Sequence, residues 1–345
     1  MTTVWYDRGI MSYAEDTSMS DQAVRWGIIG PGSISHKFVQ GLQVAEGAVL
    51  TAVASRTLDR AQTFANQYGF ARAYGSYEAL AADPDVDAVY IGTLHSFHKS
   101  HTMLCLEHGK HVICEKPFAI NASEAAEMVA LARQKGVVLM EAMWTRFLPT
   151  LVKTRELLAS GAIGEVRMIT ADFGFRTNVN PNGRLFDPAL GGGALLDVGI
   201  YPLSLAFMVL GQPSRIESMA HLGETAVDEQ AAIILGYDGG QMALLSTAIR
   251  TNTPHEAFIF GSDGWVKLHS PWWASSQLTL KQGGEETMFT LPYKGNGYTH
   301  EAEEMMTLIR SGQTESSVIP LDESLAIMQT MDKIRAQWGL RYPME

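Results

Sequence analysis

The sequence predicts two domains, a doubly wound α/β domain followed by an α+β domain built on an open, mostly antiparallel sheet. Strand and helix patterns alternate for about 120 residues from Val24, and the strands are almost continuously apolar. After Trp144 the pattern changes to longer, alternating strands separated by glycine-rich turns. The chain has 345 residues, which is more than one compact core usually holds and suits two domains.

The first domain is predicted to span residues 22–143. Short apolar strands between amphipathic helices are typical of a parallel sheet covered on both faces, and right-handed crossovers make such a sheet doubly wound. Asn121 with Glu124 three residues later forms a capping box at the start of a helix. The predicted strands are Val24–Ile29, Val49–Ser55, Val86–Ile91, His111–Cys114 and Val137–Met143; the predicted helices run from Gly30 to about Glu46, over Leu58–Tyr68, Tyr77–Ala82 and Ser96–His108, and from Asn121 to about Lys135.

The second domain is predicted to span residues 144–345, and its last helix is expected to pack back on the first domain. Turn signals at Asp238-Gly239-Gly240 and Ser262-Asp263-Gly264 separate strands that alternate apolar and polar residues. The predicted strands are Val166–Arg176, Ile216–Leu222, Gln230–Tyr237, Gln241–Arg250, Ala257–Gly261, Gln277–Lys281 and Glu286–Leu291; the predicted helices are Leu151–Ser160, Ala194–Leu210, Tyr298–Ser311 and Leu321–Trp338.

The composition is that of an acidic globular protein, with 46% hydrophobic and 18% charged residues. A formal net charge of −11 without a long basic run argues against nucleic acid or an anionic membrane as a partner. Cys105 and Cys114 are too few for a disulfide framework and lack the C-x-x-C metal spacing. We expect no apolar stretch long enough to span a bilayer.

Residues 1–21 are predicted to form a disordered tail, within which Met11 and Met19 are alternative starts. This segment is acidic and has no apolar run, so it resembles neither a secretory signal nor an Arg-rich transit peptide. A cytoplasmic location is therefore expected.

A glycine-rich turn follows the first strand and opens the first helix. Gly30, Gly32 and Ser35 form the pattern G-x-G-x-x-S, with Ser33 and Ile34 between them. The first glycine makes the tight turn, the second lets a pyrophosphate approach the backbone, and the small Ser35 permits close helix–strand packing. In this strand–turn–helix context the pattern predicts a dinucleotide site.

The end of the second strand indicates which dinucleotide is bound. An acidic residue there would bind the ribose 2′-hydroxyl of NAD, whereas an arginine accommodates a 2′-phosphate. The chain has Ser55 and Arg56, with Arg60 one turn later, and no Asp or Glu at positions 54–58. A hydroxyl and guanidinium groups form a phosphate site, so NADP is favoured over NAD. Solvated surface arginines are the alternative interpretation.

Two further motifs carry candidate catalytic groups. Lys116 follows a parallel strand at its carboxyl end, where open α/β sheets bind ligands, and Pro117 fixes the backbone after it. Asp197 and Tyr201 are four residues apart, so on a helix they share a face. A core tyrosine and a helix-capping aspartate are the competing interpretations.

Together these motifs resemble the Gfo/Idh/MocA family of oxidoreductases. The resemblance covers nearly the whole chain after residue 22, and two segments are similar to the branch with dimeric dihydrodiol dehydrogenases and D-xylose dehydrogenases. Many family members carry His where this chain has Tyr201; that branch has tyrosine. The residues concerned are Gly30-x-Gly32, Glu115-Lys116-Pro117, Met140 to Phe147 and Gly191-Gly192-Gly193-Ala194-Leu195-Leu196-Asp197-Val198-Gly199-Ile200-Tyr201.

The resemblance implies hydride transfer between a nicotinamide and an alcohol-bearing carbon of a small polar substrate. Tyr201 would be the acid/base, Lys116 would assist it and lower its pKa, and Asp197 would orient the pair or bind a substrate hydroxyl. Residues 93–98, Thr-Leu-His-Ser-Phe-His, correspond to the family's T-P-N-x-x-H segment but lack its Pro and Asn. The predicted cofactor contacts are Gly30, Gly32, Ser33, Ile34, Ser55, Arg56, Arg60, Thr93, Leu94, His95, His98, Glu115 and Lys116.

The substrate side of the cleft is expected near the junction of the two domains. Trp144 and Arg146 follow the last strand of the first domain, and Phe173, Phe175 and Arg176 lie near the end of the first strand of the second. For each phenylalanine, core packing is an equally good interpretation. The predicted substrate contacts are Trp144, Arg146, Phe175, Arg176, Asp197 and Tyr201.

The leading hypothesis is thus an NADP-dependent dehydrogenase or reductase of sugars, polyols or trans-dihydrodiols, without a metal. The alternatives are an NAD-dependent glycoside hydrolase of the same fold and a non-catalytic dinucleotide sensor. A homodimer or higher homo-oligomer is expected through the open sheet of the second domain, on which Ile233, Leu235, Leu244 and Ile249 are predicted to be uncovered.

Overall fold

A six-stranded parallel sheet organises the first domain in the computed structural model, which describes residues 23–345. The sheet order is β3-β2-β1-β4-β5-β6, the doubly wound order that the sequence predicts. The predicted tail at residues 1–21 lies outside the described residues. The strands are β1 (Val24–Ile29), β2 (Ala48–Ala54), β3 (Arg72–Tyr74), β4 (Ala88–Ile91), β5 (His111–Glu115) and β6 (Leu139–Ala142).

Helices cover both faces of this sheet, and the strand order reverses between β1 and β4. The carboxyl ends of those two strands therefore diverge into a crevice, the position at which such sheets bind ligands. The first helix ends at Leu42, four residues before its predicted end, and the short β3 was not predicted. The helices are α1 (Ser33–Leu42), α2 (Leu58–Tyr68), α3 (Tyr77–Ala81), α4 (His98–Glu107) and α5 (Ala122–Lys135).

The second domain contains an eight-stranded sheet of order β14-β13-β12-β11-β7-β10-β9-β8. All neighbours are antiparallel except β7 and β10, which confirms a mostly antiparallel sheet. Strand β12 was not predicted because it starts at Gly264, within the predicted turn. The strands are β7 (Val166–Gly174), β8 (Arg215–Leu222), β9 (Asp228–Gly236), β10 (Met242–Ala248), β11 (Ala257–Gly261), β12 (Gly264–Leu268), β13 (Gln277–Gln282) and β14 (Glu285–Thr290).

Four helices accompany this sheet: α6 (Pro149–Ala159), α7 (Ile200–Leu210), α8 (Tyr298–Ser311) and α9 (Leu321–Trp338). The last two lie against the first domain. Thr299 Oγ1 of α8 donates to the carbonyl of Gly41 in α1 (3.1 Å), and the Ala122 N–H of α5 donates to Asp332 of α9 (2.9 Å). These contacts join the two domains.

The two faces of the second sheet differ in exposure. Helix α7 packs against β7 and β10 on one face. Ile233, Leu235 and Ile249, predicted to be uncovered, are buried on that side, so this part of the prediction is wrong. The opposite face exposes large apolar side chains, with Leu244 at 40% and its cross-strand neighbour Ile234 at 46%. Met219 and Met242 are also exposed.

One stretch, Pro188–Leu210, is long and apolar enough to cross a membrane, contrary to the expectation from the sequence. In the structure 83% of its most apolar window is buried inside the protein. It contains α7, which forms the core beneath the second sheet. A buried core helix passes the same length and composition test, so the stretch is weak support for a membrane span.

Candidate active site

A cleft of about 700 Å³ opens at the carboxyl ends of the first sheet and continues to the second domain. The cleft therefore joins the glycine turn to the helix that carries Asp197 and Tyr201. The predicted residues that line it are Gly30, Gly32, Ser33, Ile34, Ser55, Arg56, Arg60, Thr93, Leu94, His95, His98, Glu115, Lys116, Trp144, Phe173, Phe175, Asp197 and Tyr201.

The glycine turn has the backbone that its motif requires. Gly30 has φ +84°, and a Cβ there would lie 2.6 Å from the Thr93 side chain. Ser35 is buried, and its hydroxyl donates to the carbonyl of Gly30 (2.7 Å), so it closes the turn as well as fitting a narrow space. Helix α1 starts directly after Gly32 and directs its free N–H groups at the cleft.

Unpaired cations surround the outer end of the cleft. Arg56 and Arg60 are exposed, line the cleft and form no ion pair or hydrogen bond within residues 23–345. The ammonium group of Lys37, one turn into α1, is likewise unpaired among the described residues and was not predicted from the sequence. The adjacent Ser55 is buried. A hydroxyl and three free cations form a site for an anion such as phosphate.

Two histidines contact backbone carbonyls in the loops that border the cleft. His98 is fully buried between the carbonyls of Pro117 (2.8 Å from Nδ1) and Thr93 (3.2 Å from Nε2). Nδ1 of His95 lies 3.3 Å from the carbonyl of Gly191 in the second domain. Burial lowers the pKa of His95 to about 3 and that of His98 to about 4, so both rings are neutral near pH 7.

Lys116 and Tyr201 meet at the inner end of the cleft. Lys116 follows β5, and its Nζ lies 4.8 Å from the centre of the Tyr201 ring. The ammonium also donates to the backbone carbonyl of Asp197 (2.8 Å), which fixes its direction. The Lys116–Pro117 peptide is cis.

The Tyr201 oxygen accepts a hydrogen bond from the indole N–H of Trp144 (3.1 Å). An indole nitrogen can only donate, so the Tyr201 hydroxyl hydrogen is left for another acceptor. The ring is 7% exposed and lines the cleft. The Tyr201 hydroxyl hydrogen is thus available for a hydrogen bond within the cleft.

Asp197 is held between two cations. Its Oδ1 accepts from Arg184 (2.7 Å) and lies 3.9 Å from Lys116 Nζ. Burial raises the pKa of Asp197, but Lys116 and Arg184 together lower it by more than burial raises it. The net pKa lies below its ordinary value, so the carboxyl remains ionised at neutral pH. Asp197 therefore orients the cations and is not a proton donor.

The pKa of Tyr201 differs from the expectation. Burial raises it, and this effect exceeds the lowering by Lys116 and by the Trp144 hydrogen bond, so the net pKa lies above its ordinary value of 10. The prediction of a lowered value is therefore wrong in sign. For Lys116, burial lowers the pKa but Tyr201 and Asp197 raise it more, so the ammonium stays charged. The free chain thus presents a neutral phenol beside a cation.

An aromatic wall faces this pair. Phe173 stacks on Trp273 with ring centres 3.4 Å apart and planes 8° apart, and Tyr201 lies 5.3 Å from Phe173. Trp144 stacks on Tyr298 at 4.7 Å. A ligand between these rings and the Lys116 ammonium would pack its apolar face and hydrogen-bond along one edge.

Two predicted substrate residues do not line the cleft. Arg146 is 2% exposed; its guanidinium pairs with Glu323 and donates to the hydroxyl (2.8 Å) and carbonyl (2.7 Å) of Ser204. Arg176 is exposed, its backbone N–H donates to Asn252 (2.8 Å), and it is not among the residues that line the cleft. Both predictions are corrected: Arg146 lies in the packed core, and Arg176 lies beyond the end of β7.

Several lining residues were not predicted from the sequence. Arg184 is in the long loop after β7, and Trp273 is in a short helical turn before β13, so no local motif marks either. Tyr77, Phe97 and His101 form an aromatic group near Arg56 and Arg60. Within residues 23–345 no group of three or more His, Cys, Asp or Glu side chains is arranged to hold a metal ion.

Comparison with protein families gives two matches along the chain. Residues 24–143 match the model described as the oxidoreductase family with NAD-binding Rossmann fold, GFO_IDH_MocA, and residues 151–267 match the C-terminal domain of the same family. The chain belongs to the Gfo/Idh/MocA family of oxidoreductases. The two domains that border the cleft therefore match the N-terminal and C-terminal domain models of one family.

Relatives within the Gfo/Idh/MocA family match over almost the entire chain. The human trans-1,2-dihydrobenzene-1,2-diol dehydrogenase is 40% identical over 335 residues, covering 94% of this chain and 99% of that protein. Its Xenopus tropicalis counterpart is 38% identical over 333 residues, covering 93% of this chain and all of the relative.

Two solved structures share the arrangement of both domains. KijD10, a 3-ketoreductase from Actinomadura kijaniata in complex with NADP and TDP-benzene, superposes with a TM-score of 0.82 at 26% identity, covering 91% of this chain and 98% of that chain. The aldose-aldose oxidoreductase from Caulobacter crescentus, complexed with glycerol, has a TM-score of 0.84 at 25% identity and covers 92% of this chain and 99% of its own.

Proposed function

We propose that this chain is an NADP-dependent oxidoreductase that transfers a hydride between nicotinamide and a carbinol carbon of a sugar, polyol or trans-dihydrodiol. The observation that carries the proposal is that the Lys116 ammonium lies over the Tyr201 ring at the end of a cleft that begins at the glycine turn. The names of the relatives, dihydrodiol dehydrogenase and 3-ketoreductase, support the same reaction class.

The residues of the outer cleft fit NADP. Gly30 and the start of α1 would receive the pyrophosphate, and Ser55, Arg56 and Arg60 would receive the 2′-phosphate. Lys37 adds a third cation at that end. When bound, the cofactor supplies or accepts the hydride at its nicotinamide ring. The protein supplies the positions and charges around it.

Tyr201 would move the proton that accompanies the hydride. In reduction, the neutral phenol donates its hydroxyl proton to the carbonyl oxygen of the substrate, which becomes an alcohol. In oxidation, the same oxygen takes the proton of the substrate hydroxyl, for which it must first ionise. The Lys116 ammonium would polarise the carbonyl and stabilise negative charge on either oxygen.

The remaining groups would orient the substrate. Phe173 and Trp273 offer a flat apolar surface, and Arg184 and Asp197 offer polar groups beside the reacting position. This arrangement suits a ring or chain that has an apolar face and hydroxyl groups along one edge. Sugars and dihydrodiols both fit that description.

A panel of pentoses, hexoses, polyols and trans-dihydrodiols, each with NADP⁺ and with NAD⁺, tests the proposal by the absorbance of the reduced nicotinamide. We expect turnover with at least one member and a preference for NADP⁺. Nucleotide binding without turnover on any member would indicate a sensor, and release of free sugar from glycosides without net absorbance change would indicate the hydrolase.

We also propose a homodimer through the open face of the second sheet. Met219, Ile234, Met242 and Leu244 are all at least 40% exposed there, and monomeric proteins rarely leave such a contiguous apolar patch uncovered. Analytical ultracentrifugation should give a dimer for the wild type and a monomer for Leu244→Asp. Val152→Asp, on the exposed side of α6, is the control and should stay dimeric. A monomeric wild type at micromolar concentration would contradict the proposal.

A further inference from the structure

The helix that carries Asp197 and Tyr201, the catalytic helix, begins without a cap of its own. It starts as a wider, π-helical turn over Leu195–Gly199, which contains Asp197, and continues as α7 with Tyr201 in its first turn. Gly192 and Gly193 precede it, and no side chain at its own N-cap position accepts a hydrogen bond. The free N–H groups at such a helix start need acceptors from elsewhere in the fold.

Asp228, the first residue of β9, supplies that acceptor. Its Oδ2 accepts from the backbone N–H of Leu195 at 2.6 Å, and the residue is fully buried. Its Oδ1 occupies the space beside Gly193, where an added Cβ would lie only 2.2 Å away. Gly193 itself has φ +115°, so the turn is shaped around this carboxyl group.

Two neutral hydrogen bonds hold the same turn. Thr247 Oγ1 donates to the carbonyl of Ala194 (3.2 Å), and the Tyr342 hydroxyl donates to the carbonyl of Gly192 (2.7 Å). Asp228 differs from both because it is charged and accepts from the helix N-terminus, where a negative charge also interacts favourably with the helix dipole. Asp197 lies two residues after Leu195, and its backbone carbonyl accepts the hydrogen bond that fixes the Lys116 ammonium.

We propose that Asp228 is a positioning residue for the reaction, whose ionised carboxylate holds the start of the catalytic helix so that Asp197 and Tyr201 meet Lys116. This inference rests on the proposed function. Asp228 does not line the cleft, so it would contact neither substrate nor cofactor. Its effect passes through Leu195 to the backbone that carries the two cleft residues.

The charge on Asp228 changes near neutral pH. Burial raises its pKa to about 7, although the Leu195 N–H and the Arg335 guanidinium lower it. The other titratable group facing it is the Tyr342 phenol, whose own pKa is raised by burial, so it remains neutral. Below pH 7 the carboxyl takes up a proton and its hold on the helix start weakens. The proposal therefore predicts that kcat for reduction, the direction in which Tyr201 is already protonated, falls as the pH drops from 8 to 6, and the tests use this direction.

Asp228→Asn tests this by removing the charge while keeping the shape. We expect kcat to fall at least tenfold at pH 8, the Kd for NADPH to stay within twofold, and the remaining kcat to lose its decline between pH 8 and 6. Thr247→Val removes a neutral anchor, so it should lower kcat but keep the acid decline. Asp83→Asn, at a buried carboxylate that pairs with Arg72 and does not line the cleft, should change neither kcat nor its acid decline. A wild-type kcat that is flat from pH 6 to 8, or an unchanged decline in Asp228→Asn, would overturn the proposal.

A crystal structure of Asp228→Asn at pH 8 separates this inference from the proposed function, since it needs no turnover. We expect the 2.8 Å contact between Lys116 Nζ and the Asp197 carbonyl to be lost or lengthened. An unchanged contact would refute the positioning role even in an active enzyme. A displaced contact in a protein that turns over nothing would support it and reject only the reaction.

Discussion

Selection of NADP over NAD can be tested at Arg56. The guanidinium is exposed, lines the cleft and has no ion pair or hydrogen bond within residues 23–345, so its removal breaks no internal contact. A hydrogen bond to a charged group contributes about 1.5–3 kcal/mol, and solvent exposure favours the lower end. About 1.4 kcal/mol corresponds to a factor of ten. Arg56→Ala should therefore raise KM for NADP⁺ roughly tenfold and leave KM for NAD⁺ unchanged.

The double variant Arg56→Ala/Arg60→Ala should raise KM for NADP⁺ on the order of a hundredfold if the two guanidiniums act on the same phosphate independently. Steady-state kinetics with both coenzymes gives the ratio directly. Arg215→Ala is the control, since Arg215 is exposed but pairs with Glu217 at the far edge of the second sheet. Equal losses for NADP⁺ and NAD⁺, or no loss for either, would refute the assignment of this phosphate site.

Three further outcomes follow from individual side chains. Lys116→Met should lower kcat on the order of a hundredfold, the scale of acid–base assistance, with NADPH affinity retained in a fluorescence titration. Arg146→Met should cost roughly 3 kcal/mol in urea unfolding without raising substrate KM, because it strips a buried partner from Glu323. Burial raises the pKa of Glu301 above its ordinary value of 4.5, so the contribution of this carboxyl to stability declines as the pH rises above 4.5. Glu301→Gln should therefore lessen the loss of unfolding free energy on raising the pH, whereas Glu303→Gln, which removes a partner of Lys294, should not.

The sequence predicted those parts of the site that a short stretch of backbone determines. The Gly30 turn needs a glycine with positive φ before a helix, and Lys116 needs only the end of a parallel strand. Both requirements are local, so a motif reveals them. The α/β alternation predicted the doubly wound parallel sheet, because right-handed crossovers leave few topologies.

Residues brought to the cleft by long connections could not be predicted. Arg184 pairs with Asp197 across a loop, and Trp273 reaches Phe173 from a distant part of the second sheet. The Arg146 side chain is directed by its contacts with Ser204 and with Glu323 of α9. Both residues are far from Arg146 in the sequence, so no local pattern reveals these contacts.

Two errors have simple physical causes. Ile233, Ile234 and Leu235 are three consecutive apolar residues, so alternation does not say which of them face outward, and a shift of one residue exchanges the two faces. The pKa of Tyr201 was expected from its cationic neighbour alone. The structure adds burial, which acts in the opposite direction and dominates.

The central claim is that Tyr201 exchanges the proton in the field of Lys116, and the pH dependence of kcat/KM in both directions tests it most directly. Because the Tyr201 pKa lies above 10, oxidation should become about tenfold faster per pH unit into the alkaline range, and reduction should stay constant from pH 8 upward until the phenol ionises. Tyr201→Phe should lose at least a hundredfold in both directions. A Tyr201→Phe enzyme with near-normal rates and the wild-type pH profile would contradict the account.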